Sequence, residues 1–150
     1  MRVVIQRVKK ASVNIDGKVY ASINAGLLIL LGIETADNQE DIDYLCGKTA
    51  RLRIFDDEKG VMNLSVCDVK GSCLVVSQFT LHASTKKGNR PSYIRAAPPE
   101  VAVPLYESFI ASLRKETQSE VQTGVFGANM QIELTNDGPV TIVVDSKNKE

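Results

Sequence analysis

The 150-residue chain has no tryptophan and a single histidine, His82. One imidazole excludes metal centres built from several histidines. The three cysteines, Cys46, Cys67 and Cys73, are odd in number, scattered and without a C-x-x-C pair. That argues against both a disulfide framework and a zinc site, so they are expected as buried or half-buried thiols. Net charge is lacking too, because 18 basic residues balance 18 acidic ones. Nothing in that balance announces nucleic acid, although a local patch such as Lys86, Lys87 and Arg90 binds phosphates even on a neutral protein. The longest apolar run, Gly26 to Ile33, is far too short to span a bilayer and reads as a buried strand. The opening M-R-V-V-I-Q-R-V has no long apolar segment leading to a small-residue cleavage site, so it does not read as a secretory signal and a cytosolic location is expected. There is no G-x-S-x-G elbow, P-loop, internal repeat or linker.

What is present suits an ordinary globular protein: 43% apolar and 24% charged residues, and enough length for one domain over 1–150 with a core that needs no staples. Residues 2–8 and 11–15 read as strands, with Val3, Ile5, Val13 and Ile15 at period two. Asp16-Gly17 turns the chain into a strand over 18–23. A helix is expected over 39–52, capped by Asp37 or Asn38. Residues 55–60 read as a charged loop and 72–78 as a second apolar strand. A helix over 99–115 starts on Pro98-Pro99 and offers Val103, Tyr106, Phe109, Ile110 and Leu113 as its apolar face. Strands follow over 121–123, 130–135 and 140–145, and the tail from Ser146 is expected to fray. The fold class is α+β: a largely antiparallel, barrel-like sheet with two main helices.

Candidate chemistry is sparse. Strand alternation puts Thr80 and His82 on one face without guaranteeing hydrogen-bond geometry, so a solvated or loop-facing histidine is preferred to a general base. Asp56 and Asp57 read as a solvated turn rather than a catalytic pair. The segment S-Q-F-T-L-H-A, Ser77 to Ala83, ends an apolar strand in hydroxyl and amide groups, where pockets commonly open. It leads into the basic loop S-T-K-K-G-N-R-P-S-Y. The turn N-D-G-P-V-T, Asn136 to Thr141, reads from its residues as a hairpin with an edge-strand proline.

Taken together, M-R-V-V-I-Q-R-V, S-Q-F-T-L, G-N-R-P-S-Y, T-G-V-F-G-A-N-M and N-D-G-P-V-T resemble, in order and spacing, the D-aminoacyl-tRNA deacylases over nearly the whole chain. The resemblance implies a homodimer in which a cis Gly138-Pro139 bond reaches into the partner's pocket. It implies a pocket floored by Ser77, Gln78, Phe79 and Thr80, with Phe126 and Met130 lining the adenosine site and Arg7 anchoring the turn. Lys86, Lys87 and Arg90 are expected near the tRNA acceptor stem. Val125 stands where many relatives carry a basic residue. The implied activity is hydrolysis of D-aminoacyl-tRNA, and of glycyl-tRNA mischarged on tRNA-Ala, with L-residues excluded sterically. The terminal 2'-OH helps activate water, backbone N–H groups of Phe79 and Thr80 stabilise the oxyanion, and neither metal nor cofactor is expected. A non-catalytic RNA-end binding module and a threonine-dependent amidohydrolase acting on free small molecules are the alternatives.

Overall fold

The computed structural model describes residues 1–149. Strand β1 (Arg2–Ile15) is its spine. The first half of β1 pairs antiparallel with β3 (Gly26–Gly32) and the second half with β2 (Lys18–Ile23), while β8 (Gln131–Asp145) runs antiparallel along its other side. Strand β6 (Ser72–Ser77) lies parallel to β3, and β7 (Val121–Thr123) parallel to β6. The sheet is therefore largely antiparallel, as expected, with a parallel part in β3, β6 and β7, and it curls into a nearly closed barrel-like form. Helices α1 (Gln39–Arg51) and α2 (Pro99–Thr117) pack against each other and cover one face of it. The segment 55–60, expected as a charged loop, opens with a short strand, β4 (Phe55–Asp56), that pairs with β5 (Met62–Leu64) across a turn.

Burial explains the composition of the strands. Ile29, Leu31 and Val75 face the helices and meet Leu45, Phe109 and Leu113 in one core. Leu28, Leu74 and Val76 point to the opposite face and join Val8, Val13 and Ile23 in a second. Strand β3 is thus buried on both faces, which is why it reads as a continuous apolar run instead of an alternating one. Each fully buried Leu, Ile or Phe contributes about 1.5–3 kcal/mol relative to exposure.

The local signals at the helix ends resolve cleanly. Asn38 caps α1, accepting from the Glu40 N–H at 2.8 Å, and Asp41 returns the bond by accepting from the Asn38 N–H at 2.9 Å. Asp37, the other candidate, takes the buried Met1 ammonium at 2.5 Å and the Glu34 N–H at 2.8 Å. The tail does not fray at its start. Ser146 donates its N–H to the Met1 carbonyl at 2.9 Å, and the Lys147 ammonium reaches Asp41 at 2.8 Å. Burial pushes the Asp41 carboxyl up, but bonds from Lys147, Ser146 and the Asn38 N–H outweigh it and hold the pKa at about 2. Glu150 lies outside the described residues.

Two pairs of expected strands are each one strand. Residues 2–15 run on through irregular pairing between Gln6 and Lys10, and 131–145 run on through N-D-G-P. Since β8 stays antiparallel to β1 on both sides of that segment, Asn136 to Pro139 is a protrusion from a strand and not a chain reversal. Among the described residues β8 has no strand on its outer side, so a proline without an N–H donor is tolerated there.

Candidate active site

The parallel strands β3, β6 and β7 all deliver their C-terminal ends to one place, the usual location of pockets in such sheets. After Ser77 the chain leaves the sheet: Gln78 donates its N–H to the Leu31 carbonyl at 2.8 Å, and Phe79–His82 close a 3-10 turn. Gly32 makes room for that turn, because a Cβ there would sit 2.9 Å from Leu81 Cβ and 3.1 Å from His82 Cδ2. Beyond β7, a Cβ on Gly124 would lie 2.5 Å from Met130 Sδ, so glycine lets Met130 fold back beneath it. Ser77, Gln78, Phe79, Phe126 and Met130 thereby line one cavity of about 320 Å³, walled by Leu31, Val76 and Ile132. Tyr106 braces it from α2, donating its hydroxyl to the Val75 carbonyl at 3.0 Å and meeting the Phe126 ring edge-to-face at 5.8 Å. Burial pushes the Tyr106 hydroxyl up to about 12, so it stays a neutral donor.

The polar groups at the floor are amides and hydroxyls. Gln78 Nε2 donates to Thr80 Oγ1 at 2.5 Å. The expected strand face shared by Thr80 and His82 does not exist, since both sit on the 3-10 turn. His82 is not solvated. It is 2% exposed, with Nδ1 3.9 Å from Glu34 Oε2 and neither ring nitrogen hydrogen-bonded among the described residues. Asp57 organises its own turn, accepting from Asn63 Nδ2 and from the N–H groups of Lys59 and Val61, bonds that lower its pKa. No group of three His, Cys, Asp or Glu residues suited to a metal ion occurs among the described residues.

The protrusion on β8 is a second, separate construction. Arg7 is buried, 7% exposed, and donates Nε to the Asp137 carbonyl at 2.8 Å and Nη1 to the Ile54 carbonyl at 2.7 Å. Its charge lies 3.4 Å from Asp56 and 3.6 Å from Asp137 carboxylate oxygens. Asn136, which the residue patterns did not single out, closes the base of the protrusion: its Oδ1 accepts from the Val140 N–H at 2.8 Å and its Nδ2 donates to the Val140 carbonyl at 3.2 Å. The only sequence signal for it is an Asn opening an Asx-type turn. Gly138-Pro139 is cis and both residues are exposed. Neither lines the cavity of the same chain. Lys86, Lys87 and Arg90 stand exposed on a loop pinched shut by reciprocal backbone bonds between Ser84 and Ser92, at 2.8 and 2.9 Å.

Residues 4–145 match the model of the family described as D-Tyr-tRNA(Tyr) deacylase. The chain belongs to that family. It is 64% identical over 150 residues, the whole of both chains, to a protein of Flavobacterium johnsoniae named D-aminoacyl-tRNA deacylase. Among solved structures it superposes on the c-Myc DNA Unwinding Element Binding Protein with a TM-score of 0.92 at 41% identity, covering 97% of this chain and 98% of that one. A probable eukaryotic D-amino acid tRNA deacylase shares the deacylase fold at a TM-score of 0.82 and 16% identity, over 95% of this chain and 97% of that one. No helix of this deacylase-family chain, among the described residues, is long and apolar enough to cross a membrane.

Proposed function

We propose that this chain is a cytosolic chiral proofreading esterase that hydrolyses D-aminoacyl-tRNA, together with glycyl-tRNA mischarged on tRNA-Ala. The observation that carries it is the division of the motif residues into two constructions that a single chain leaves apart. One is a cavity lined by Ser77, Gln78 and Phe79, with Thr80 outside its lining and joined to it through the Gln78 amide. The other is an exposed Gly138-Pro139 protrusion, anchored by Arg7 and Asn136, that takes no part in the lining of that cavity. A second copy completes the site, with its Gly138 and Pro139 carbonyls standing against the substrate's Cα. Such a wall leaves room for hydrogen but not for a side chain, so D-residues and glycine enter and L-residues do not. The outer edge of β8, unpaired among the described residues and carrying exposed Leu134 and Val143, supports association with another copy.

The terminal adenosine lies against Phe126 and Met130, and Arg7 keeps the protrusion in place. Water attacks the ester carbonyl, the bond to the ribose 3' oxygen breaks, and that oxygen leaves with a proton, giving free amino acid and tRNA. Backbone N–H groups of Phe79 and Thr80 hold the oxyanion. The Thr80 hydroxyl is paired with a side-chain amide, which is no base, and the lone histidine is buried beside Glu34. In this reading the substrate's own 2'-OH helps activate the water, as the family resemblance implies, and Thr80 is not the nucleophile. Thr80→Ala is accordingly expected to lower the hydrolysis rate by no more than about tenfold, far short of the loss of an essential nucleophile. A folded variant reduced to the spontaneous rate of ester hydrolysis would restore Thr80 as the attacking group.

The direct test is hydrolysis of matched D-Tyr-tRNA and L-Tyr-tRNA in the presence of a chelator. Loss of the D-ester alone is expected. Survival of both esters with folded protein would favour a non-catalytic RNA-end binding module, and cleavage of both would end the exclusion argument.

A further inference from the structure

Phe79 is an unusual cavity residue, because it is 57% exposed. The ring is not loose, however: it meets Tyr93 edge-to-face, with centroids 5.1 Å apart and planes at 73°. Tyr93 is itself 40% exposed, and its neighbour Ile94 is 92% exposed. The segment that presents them is fixed on its C-terminal side, where Ala97 donates to the Ile33 carbonyl at 2.9 Å and Arg95 holds Glu34 at 3.1 Å. On its N-terminal side lies the loop closed by the Ser84–Ser92 bridge, with Lys86, Lys87 and Arg90 exposed on it. None of these three cations enters an ion pair among the described residues.

Exposed aromatic rings beside a loop of uncompensated cations are how proteins hold single-stranded nucleic acid, with bases stacking on the rings and cations following the phosphates. A neutral protein that keeps such a loop unpaired concentrates its binding potential there. We infer that Phe79 and Tyr93 form a stacking platform for an unpaired base next to the terminal adenosine of the acceptor end, with the Lys86–Arg90 loop along the adjoining phosphates. This rests on the proposed deacylase function and adds a subsite outside the cavity. Phe79 links the two, since it lines the cavity and forms half of the platform.

Tyr93 does not line the cavity, so it separates the platform from the chemistry. The experiment compares Tyr93→Ala and Tyr93→Phe on two substrates, D-Tyr-tRNA and 3'-O-D-tyrosyl adenosine, which lacks the neighbouring nucleotides. The alanine variant is expected to raise KM for D-Tyr-tRNA about tenfold, the loss of one base stack, with kcat unchanged. The adenosine ester is expected to be cleaved as by the wild type, and Tyr93→Phe to restore tRNA binding. Equal losses on both substrates, or no change on D-Tyr-tRNA, would overturn the platform while leaving the deacylase function standing. Wild-type protein inactive on both substrates would overturn the function itself, and the platform with it.

Discussion

Replacing Gly138 with alanine is expected to lower D-Tyr-tRNA hydrolysis by about two orders of magnitude while the protein stays folded. Its φ of +138° is one that L side chains rarely adopt. A Cβ there would also lie 2.8 Å from Val140 Cγ2 and 3.1 Å from both Arg7 Nη2 and the Val140 N. A branched side chain, a buried guanidinium and a backbone amide cannot all yield, so the protrusion itself must move. Displacements on the ångström scale at a positioning group cost about a hundredfold in rate. Stability is little affected in comparison, since the residue is exposed and outside both cores. Single-turnover hydrolysis with circular dichroism on the same samples checks both halves. A variant as fast as the wild type would mean that the protrusion takes no part in the site.

Arg7→Met is expected to damage both fold and activity. The side chain serves the carbonyls of Asp137 and Ile54 at once and offsets the charges of Asp56 and Asp137. Removing it leaves two shielded carbonyls without donors, at about 1–3 kcal/mol each before relaxation. A net loss of about 3 kcal/mol corresponds to about 6–12 °C in Tm for a protein of this size. Lysine should not rescue it, because one ammonium cannot reproduce the guanidinium's diverging donors. Hydrolysis measured well below the variant's Tm should still be depressed, as the protrusion has lost its anchor to β1. An Arg7→Met protein with wild-type Tm and wild-type rate would remove Arg7 from the account.

The sequence patterns that depend on near neighbours were legible, and those that depend on distant partners were not. An N-cap at Asp37 or Asn38 and the apolar face of α2 follow from spacing within one helix. The continuity of β8 does not, because it is decided by β1: Val8 pairs with Asn136 across most of the chain, and a proline there is acceptable only because the strand is at an edge. The parallel alignment of β6 between β3 and β7 is likewise a property of the sheet. His82 was misplaced for the same reason, since its burial against Gly32 and near Glu34 follows from a 3-10 turn where the alternation suggested more strand. At the site, Ser77-Gln78 announced a strand end opening into a pocket. That Phe126 and Met130 fold over the same opening follows from the parallel strands ending together, and only the family resemblance brought them forward.

The site proposed here works largely through peptide groups: the N–H donors at Phe79 and Thr80 and the carbonyls at Gly138 and Pro139. Every amino acid except proline carries both of these groups, so no substitution at those positions deletes the carbonyls. A saturation mutagenesis map of this protein would therefore look inverted. The deepest troughs would fall on residues that hold the main chain in shape, Gly32, Gly124, Asn136 and Arg7 among them, with shallower ones at the side chains that the adenosine and its neighbouring base would meet.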